Sequence, residues 1–208
     1  VTPNDSLRAQ LRARRSRPAP DQWHFPAVTE FLACQPVLAF DATLSHTGWL
    51  LLEVSSGRIH VLHRGIINPV TERRSFLETW DKATYLRDAL TGVYTTVAGI
   101  GRYVTAVEAP SVGGGHRTES SLIAGLQVFQ SRPGVVPVHV AHISKLLLGD
   151  GQVRSEDRKP AIRRAVSQLI PEAASRRWNE HQRDAAAVGL THLHDEQQRR
   201  LALARGQS

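Results

Sequence analysis

The chain has 208 residues, enough for one well-buried domain and short for two. Its 26 Lys and Arg against 19 Asp and Glu give a net charge of +7, which favours a polyanionic partner such as nucleic acid over a small acidic substrate. A single cysteine, Cys34, excludes a disulfide framework and a cysteine zinc cluster, so any metal falls to carboxylates and histidines.

Residues 1–35 read as a basic N-terminal extension, expected to be partly disordered. "LRAQLRARRSRPAP" carries five arginines and no acid before a Pro-Ala-Pro stop. It is either an arm that contacts phosphates or a solvated terminus. No charged-then-apolar leader precedes the first strand, and no apolar run approaches the ~20 residues of a membrane span. The expected location is therefore the cytoplasm, with no membrane partner.

Residues 36–208 have the composition of a folded domain. "PVLAFD", "TGWLLLEVS" and "GRIHVLHRGIIN" are strand-like runs separated by the turn signals "TLSHTG" and "SSGR", and predict an antiparallel meander. A helix is predicted from about Glu72 to Ala98, with Phe76, Leu77, Trp80, Tyr85 and Leu90 facing inward. "RYVTAVEAP" predicts another strand, ending in Glu108. "PSVGGGHRTESS" predicts a flexible loop with a basic tip at His116 and Arg117, then a helix from near Ser120 and the strand "GVVPVHVAH". The remainder predicts helices, the last carrying "WNEHQRDAAAVGLTH". This succession implies an α/β fold, a mixed sheet with helices packed on it.

Asp41 and Glu108 each end an apolar strand, where a buried carboxylate costs several kcal/mol unless a cation or donors compensate it. His181 and Asp184, three apart, share a helix face and precede the small run Ala185, Ala186, Ala187, which lets a helix approach a sheet closely. Taken singly, Asp41 reads as a turn residue, Glu108 as a strand terminus, Asp184 as a solvated acid and His181 as a core histidine. Together they form a hard-oxygen and imidazole set suited to Mg²⁺ or Mn²⁺.

In their order along the chain, these segments resemble RuvC-type Holliday junction resolvases of the RNase H-like superfamily, in the branch found in phages. The resemblance runs from residue 37 to about 194. "LAFDATLSHTGW" resembles the first catalytic strand and its Thr-Gly hairpin, and "TAVEAP" the strand with the second carboxylate. "HQRDAAAVGLTH" resembles the terminal acidic helix with His in place of its first Asp, and "SKLLLGDGQVRSEDRKPAIRRAV" the lysine-bearing segment. The resemblance implies a mixed five-stranded sheet flanked by helices, and Mg²⁺-dependent resolution of branched DNA by paired nicks from a homodimer, leaving 5′-phosphates. Two ions are implied, with Mn²⁺ able to substitute. Asp41, Glu108, His181 and Asp184 are the implied metal ligands, with Lys145 and Lys159 as catalytic cations. Lys145, Arg154, Arg158 and Lys159, with His116 and Arg117, are the implied DNA contacts.

Two departures matter. Ala-Thr follows Asp41 where bacterial members carry Pro-Gly, and Ser111 stands where they tend to carry an aromatic that stacks on bases. Loss of that stack weakens the case for strict four-way-junction selectivity. It keeps open a broader nuclease for flaps, forks or R-loops, or a non-catalytic branched-DNA-binding protein. A sugar-kinase-like or actin-like ATPase needs two lobes and more chain than this. The helix "SSLIAGLQVFQ" carries Leu122, Leu126 and Phe129 around Gly125, more apolar surface than one sheet face requires, and is the expected dimer contact.

Overall fold

The apolar runs Val37–Phe40 within β1 (Val37–Asp41) and Trp49–Leu52 within β2 (Thr47–Ser55) are those of strands covered on both faces. The computed structural model, which describes residues 34–68, 79–109, 116–149 and 155–206 (without the side chains of 116–118 and 155–156), sets both inside one sheet. With β3 (Arg58–Ile67), β4 (Val104–Ala109) and β5 (Val136–His139), the strand order is β3-β2-β1-β4-β5. The meander β1-β2-β3 is antiparallel, while β4 and β5 continue it in parallel with β1.

Alternation along β1 divides the core. Leu38 and Phe40 face one side, where they meet helices α1 (Thr79–Val97) and α2 (His116–Ser131). Val37 and Ala39 face the other, under α3 (Val140–Leu148), α4 (Ser155–Leu169) and α5 (Glu180–Ala204). Ala185, Ala186, Ala187 and Gly189 bring α5 down onto β1 and β2. A Cβ on Gly189 would stand 2.8 Å from the Leu52 side chain and 3.2 Å from the Ala39 Cβ.

Several elements differ from the sequence reading. His116 and Arg117 begin α2 itself, four residues before the expected start, rather than tipping a loop. The strand through "GVVPVHVAH" stops at His139, and Val140, Ala141 and His142 already wind into α3. Trp80 is 78% exposed, because it lies in the first turn of α1 before the buried stripe of Ala83, Leu86 and Leu90 begins. Leu90 is buried and Tyr85 half-buried, as expected. The N-terminal arm, Phe76, Leu77, Ser111 and Arg154 lie outside the described residues. Among the described residues no helix is long and apolar enough to cross a membrane.

Candidate active site

The strand parity that buries Ala39 and Ala106 also aims Asp41 and Glu108. Ala39 pairs with Ala106 and Phe40 with Val107 across parallel β1 and β4, so the next step along both strands sets the two acids side by side. Both belong to the face covered by α5. Asp41 is buried and Glu108 half-buried.

The opposite wall is the start of α5, whose position is set by a capping box. Asn179 Oδ1 accepts from the Gln182 backbone N–H at 2.8 Å, and Gln182 Oε1 accepts from the Asn179 N–H at 3.1 Å. Arg64 of β3 donates to the same Gln182 Oε1 at 3.0 Å and lies 4.9 Å from the Trp178 ring centroid. Buried Arg183 donates to the carbonyls of Ala173 and Ser175 at 2.9 and 3.0 Å. The first turn of α5, with His181 and Asp184, is thereby clamped to the sheet edge and to the preceding loop.

Asp41, Glu108, His181 and Asp184 line one cavity of about 560 Å³. His181 Nδ1 donates to Asp41 Oδ2 at 2.7 Å, which leaves the Nε2 lone pair of the neutral ring free. That bond raises the imidazole pKa above its ordinary value, against the opposing effect of burial. Burial first, then the charges of Asp41 and Asp184, push the Glu108 carboxyl up to about 8. Burial and then Asp41 push Asp184 up to about 7. Arg158 and Lys159, which also line the cavity, offset the Glu108 shift only in part.

These acids repel one another in a partly dry pocket, and a bound cation would relieve them. Among the described residues no three His, Cys, Asp or Glu side chains form a ready-made metal cage. The donor set nevertheless fits Mg²⁺ or Mn²⁺, since such ions keep several waters and take one or two carboxylates plus substrate phosphate. It does not fit a closed structural site.

Lys159 reaches the cavity from α4 and pairs with Glu180 at 2.5 Å. Lys145 does not line the cavity. Ile143 of α3 does, and two residues further along a helix the side chain points about 200° away, which leaves Lys145 exposed. Of the other expected DNA contacts only Arg158 lines the cavity with a described side chain.

The structure adds residues that the sequence reading left unassigned. Thr43 and Ser45 from the β1-β2 turn, and Ser120 and Ser121 from α2, form a hydroxyl wall of the cavity. Thr43 Oγ1 donates to the His46 carbonyl at 2.6 Å and accepts from its N–H at 3.1 Å. This holds the His46 ring parallel to His181, with centroids 5.4 Å apart. The signal for these two was present in "TLSHTG", whose Thr and His lie three apart. Nothing local marks Arg64.

Gly48 makes this geometry possible. It pairs with Asp41 across β1 and β2, and a Cβ there would overlap the His181 carbonyl. Backbone cannot yield as a flexible side chain can, so Gly48→Ala is expected to destabilise the fold by about 1–3 kcal/mol and to part His181 from Asp41. Urea denaturation measures the first effect. An unchanged midpoint with full activity would contradict it.

No family model matches the chain, and no curated protein matches it. Solved structures do match. The RuvC structure from Thermus thermophilus has a TM-score of 0.55 at 15% identity, over 78% of this chain and 96% of that one. RuvC of the same organism in complex with a Holliday junction substrate has a TM-score of 0.58 at 18% identity, over 79% of this chain and 96% of that one. At these identities the likeness is one of fold, and the chain has the RuvC and RNase H-like fold, a mixed five-stranded sheet flanked by helices.

Proposed function

We propose that the chain is a metal-dependent, structure-selective DNA endonuclease of the phage-like RuvC branch, acting in the cytoplasm, that resolves Holliday junctions or other branched DNA by paired nicks. The observation that carries the reading is the meeting of Asp41, Glu108, His181 and Asp184 in one cavity with Arg158 and Lys159. The similarity to a RuvC structure holding a Holliday junction substrate supports the substrate class.

Two Mg²⁺ ions, or Mn²⁺ in their place, would supply a nucleophilic hydroxide at neutral pH and charge stabilisation at the leaving oxygen, giving a 5′-phosphate. Asp41, beside Glu108 and hydrogen-bonded to the His181 ring, would hold the ions together with Glu108 and Asp184. His181, oriented by Asp41 through Nδ1, keeps Nε2 to bind or to take a proton. Arg158 and Lys159 neutralise the phosphate. The hydroxyls of Ser120 and Ser121 hydrogen-bond the strand beside it. Lys145, exposed outside the cavity, contacts DNA, as do His116, Arg117 and Arg154.

The test is a cleavage assay with Mg²⁺ on four-way, three-way, flap and linear DNA. We expect the four-way junction to be nicked at least about tenfold faster than linear duplex. Equal cutting of all four, or none, would overturn the reading.

Leu122 and Leu126, each 47% exposed, and Phe129, 37% exposed, recur at helical spacing along α2 and form an uncovered apolar face. Two opposed nicks call for two sites related by a two-fold axis, so this face is proposed as the contact between two copies. Sedimentation at micromolar concentration is expected to give twice 23.0 kDa. Leu126→Asp is expected to give a monomer that nicks one strand at a time. A monomeric parent chain, or paired nicking by the variant, contradicts the dimer.

A further inference from the structure

Between Arg163 and Trp178 the chain carries Arg163, Arg164, Arg176 and Arg177 against one acid, Glu172. Lys159 and Arg163 are four apart on α4 and so adjoin on one flank, which begins at the cavity. That flank leads to the loop before α5. Arg163 is exposed and close enough to Arg183 for its charge to add to burial in lowering the Arg183 pKa.

The loop is rigid. Arg183 holds the Ser175 carbonyl, Ser175 Oγ accepts from the Arg177 N–H at 3.2 Å, and Ser175 O accepts from the Trp178 N–H at 3.1 Å. Arg64 Nη1 donates to the Arg177 carbonyl at 3.2 Å. Arg176 and Arg177 project from this frame, exposed. Among the described residues neither they nor Arg163 are in an ion pair, and the nearby Glu180 is taken by Lys159.

We propose that Arg163, Arg176 and Arg177 form a track for the sugar-phosphate backbone of the nucleic-acid strand that runs out of the cavity past Lys159. Like charges held on a fixed frame without counter-charges repel each other, and a polyanion relieves this at no ordering cost to the frame. The one aromatic of the loop, Trp178, is buried under Arg64, so no ring is offered to a base. The track therefore positions a strand and is indifferent to its sequence. The inference deepens the nuclease reading, and rests on it for the direction of the strand but not for the charge.

The experiment measures binding of a labelled four-way junction by anisotropy from 50 to 300 mM NaCl, in the 208-residue chain carrying Asp41→Asn to prevent cutting. Neutralising the three residues as Arg163→Gln/Arg176→Gln/Arg177→Gln is expected to reduce the slope of log Kd against log salt by about 2–3, at roughly 0.9 per duplex phosphate contact. The matching Arg→Lys triple is expected to keep the slope within about 0.5. Arg199→Gln, at the far end of α5 and paired with Glu196, is expected to leave it unchanged. An unchanged slope in the Gln triple, an equal loss in the Lys triple, or a per-charge loss as large from Arg199→Gln each overturns the track. If the unsubstituted chain cuts no branched DNA but the slope falls as expected, the nuclease reading fails and the track stands. Cutting with an unchanged slope is the reverse result.

Discussion

Asp41→Asn is expected to lower strand cleavage by at least about 10³-fold while leaving binding to branched DNA at low salt as tight or tighter. The asparagine oxygen can still accept from His181 Nδ1, so the 2.7 Å bond has a partner and the ring keeps its orientation. What is lost is one negative charge at the point where β1, β4 and α5 meet. Asp41 is the acid whose charge helps push up both Glu108 and Asp184, so its neutralisation lets both ionise more easily while removing the ligand they would share with a cation. Cleavage fails because the charge that gathers the metal is gone, not because the pocket collapses. Binding is spared because an acid facing phosphate opposes it, and each unit of charge counts at low salt. Single-turnover cleavage with Mg²⁺ and anisotropy in 50 mM salt measure the two halves. Residual cutting above about a tenth of the parent rate would remove Asp41 from the metal site.

Much of this pocket was legible because the features that place Asp41 and Glu108 are local. A strand buried on both faces announces itself as an apolar run, and an acid at its end stands out against that run. The His181 and Asp184 spacing follows from the helical period, and Ala185 to Ala187 mark the helix that must press on a sheet. Residues whose role depends on distant contacts were not legible. Arg64 matters because β3 passes beside the first turn of α5, 118 residues away along the chain. That Lys145 lies off the cavity was not legible, because the start of α3 within "VHVAH" sets which flank it occupies, and β-branched residues there read equally well as strand. His116 and Arg117 read as a loop tip because the preceding glycines mask where α2 begins.

Raising the pH of the metal-free chain from 5 to 8 is expected to lower its Tm by about 5–10 °C, and millimolar Mg²⁺ or Mn²⁺ to restore most of the loss. Glu108 titrates near 8 and Asp184 near 7 in the folded chain, against ordinary values of 4.5 and 3.8. Between those limits the folded state binds more protons than the unfolded state, so stability falls as the pH rises through the window. His181 acts in the same direction. Its raised pKa contributes stability that is complete below the unfolded value and lost as the pH rises through the folded one. Glu196, held near 2 by Arg199 and Arg200, gives stability that is lost only in stronger acid and adds nothing here. Each pKa unit corresponds to about 1.4 kcal/mol, and water in the open cavity screens part of it, leaving about 2–3 kcal/mol. A cation with a Kd near 10 µM returns about 2.7 kcal/mol at 1 mM, which matches the deficit. Glu108→Gln removes the largest source of the pH dependence, and its metal-free Tm is expected to follow a flatter course from pH 5 to 8, with Asp184 and His181 leaving about half of the fall. A parent chain whose Tm is equally flat, or whose Tm at pH 8 responds no more to Mg²⁺ and Mn²⁺ than to NaCl of the same ionic strength, would mean that these carboxylates do not await a metal.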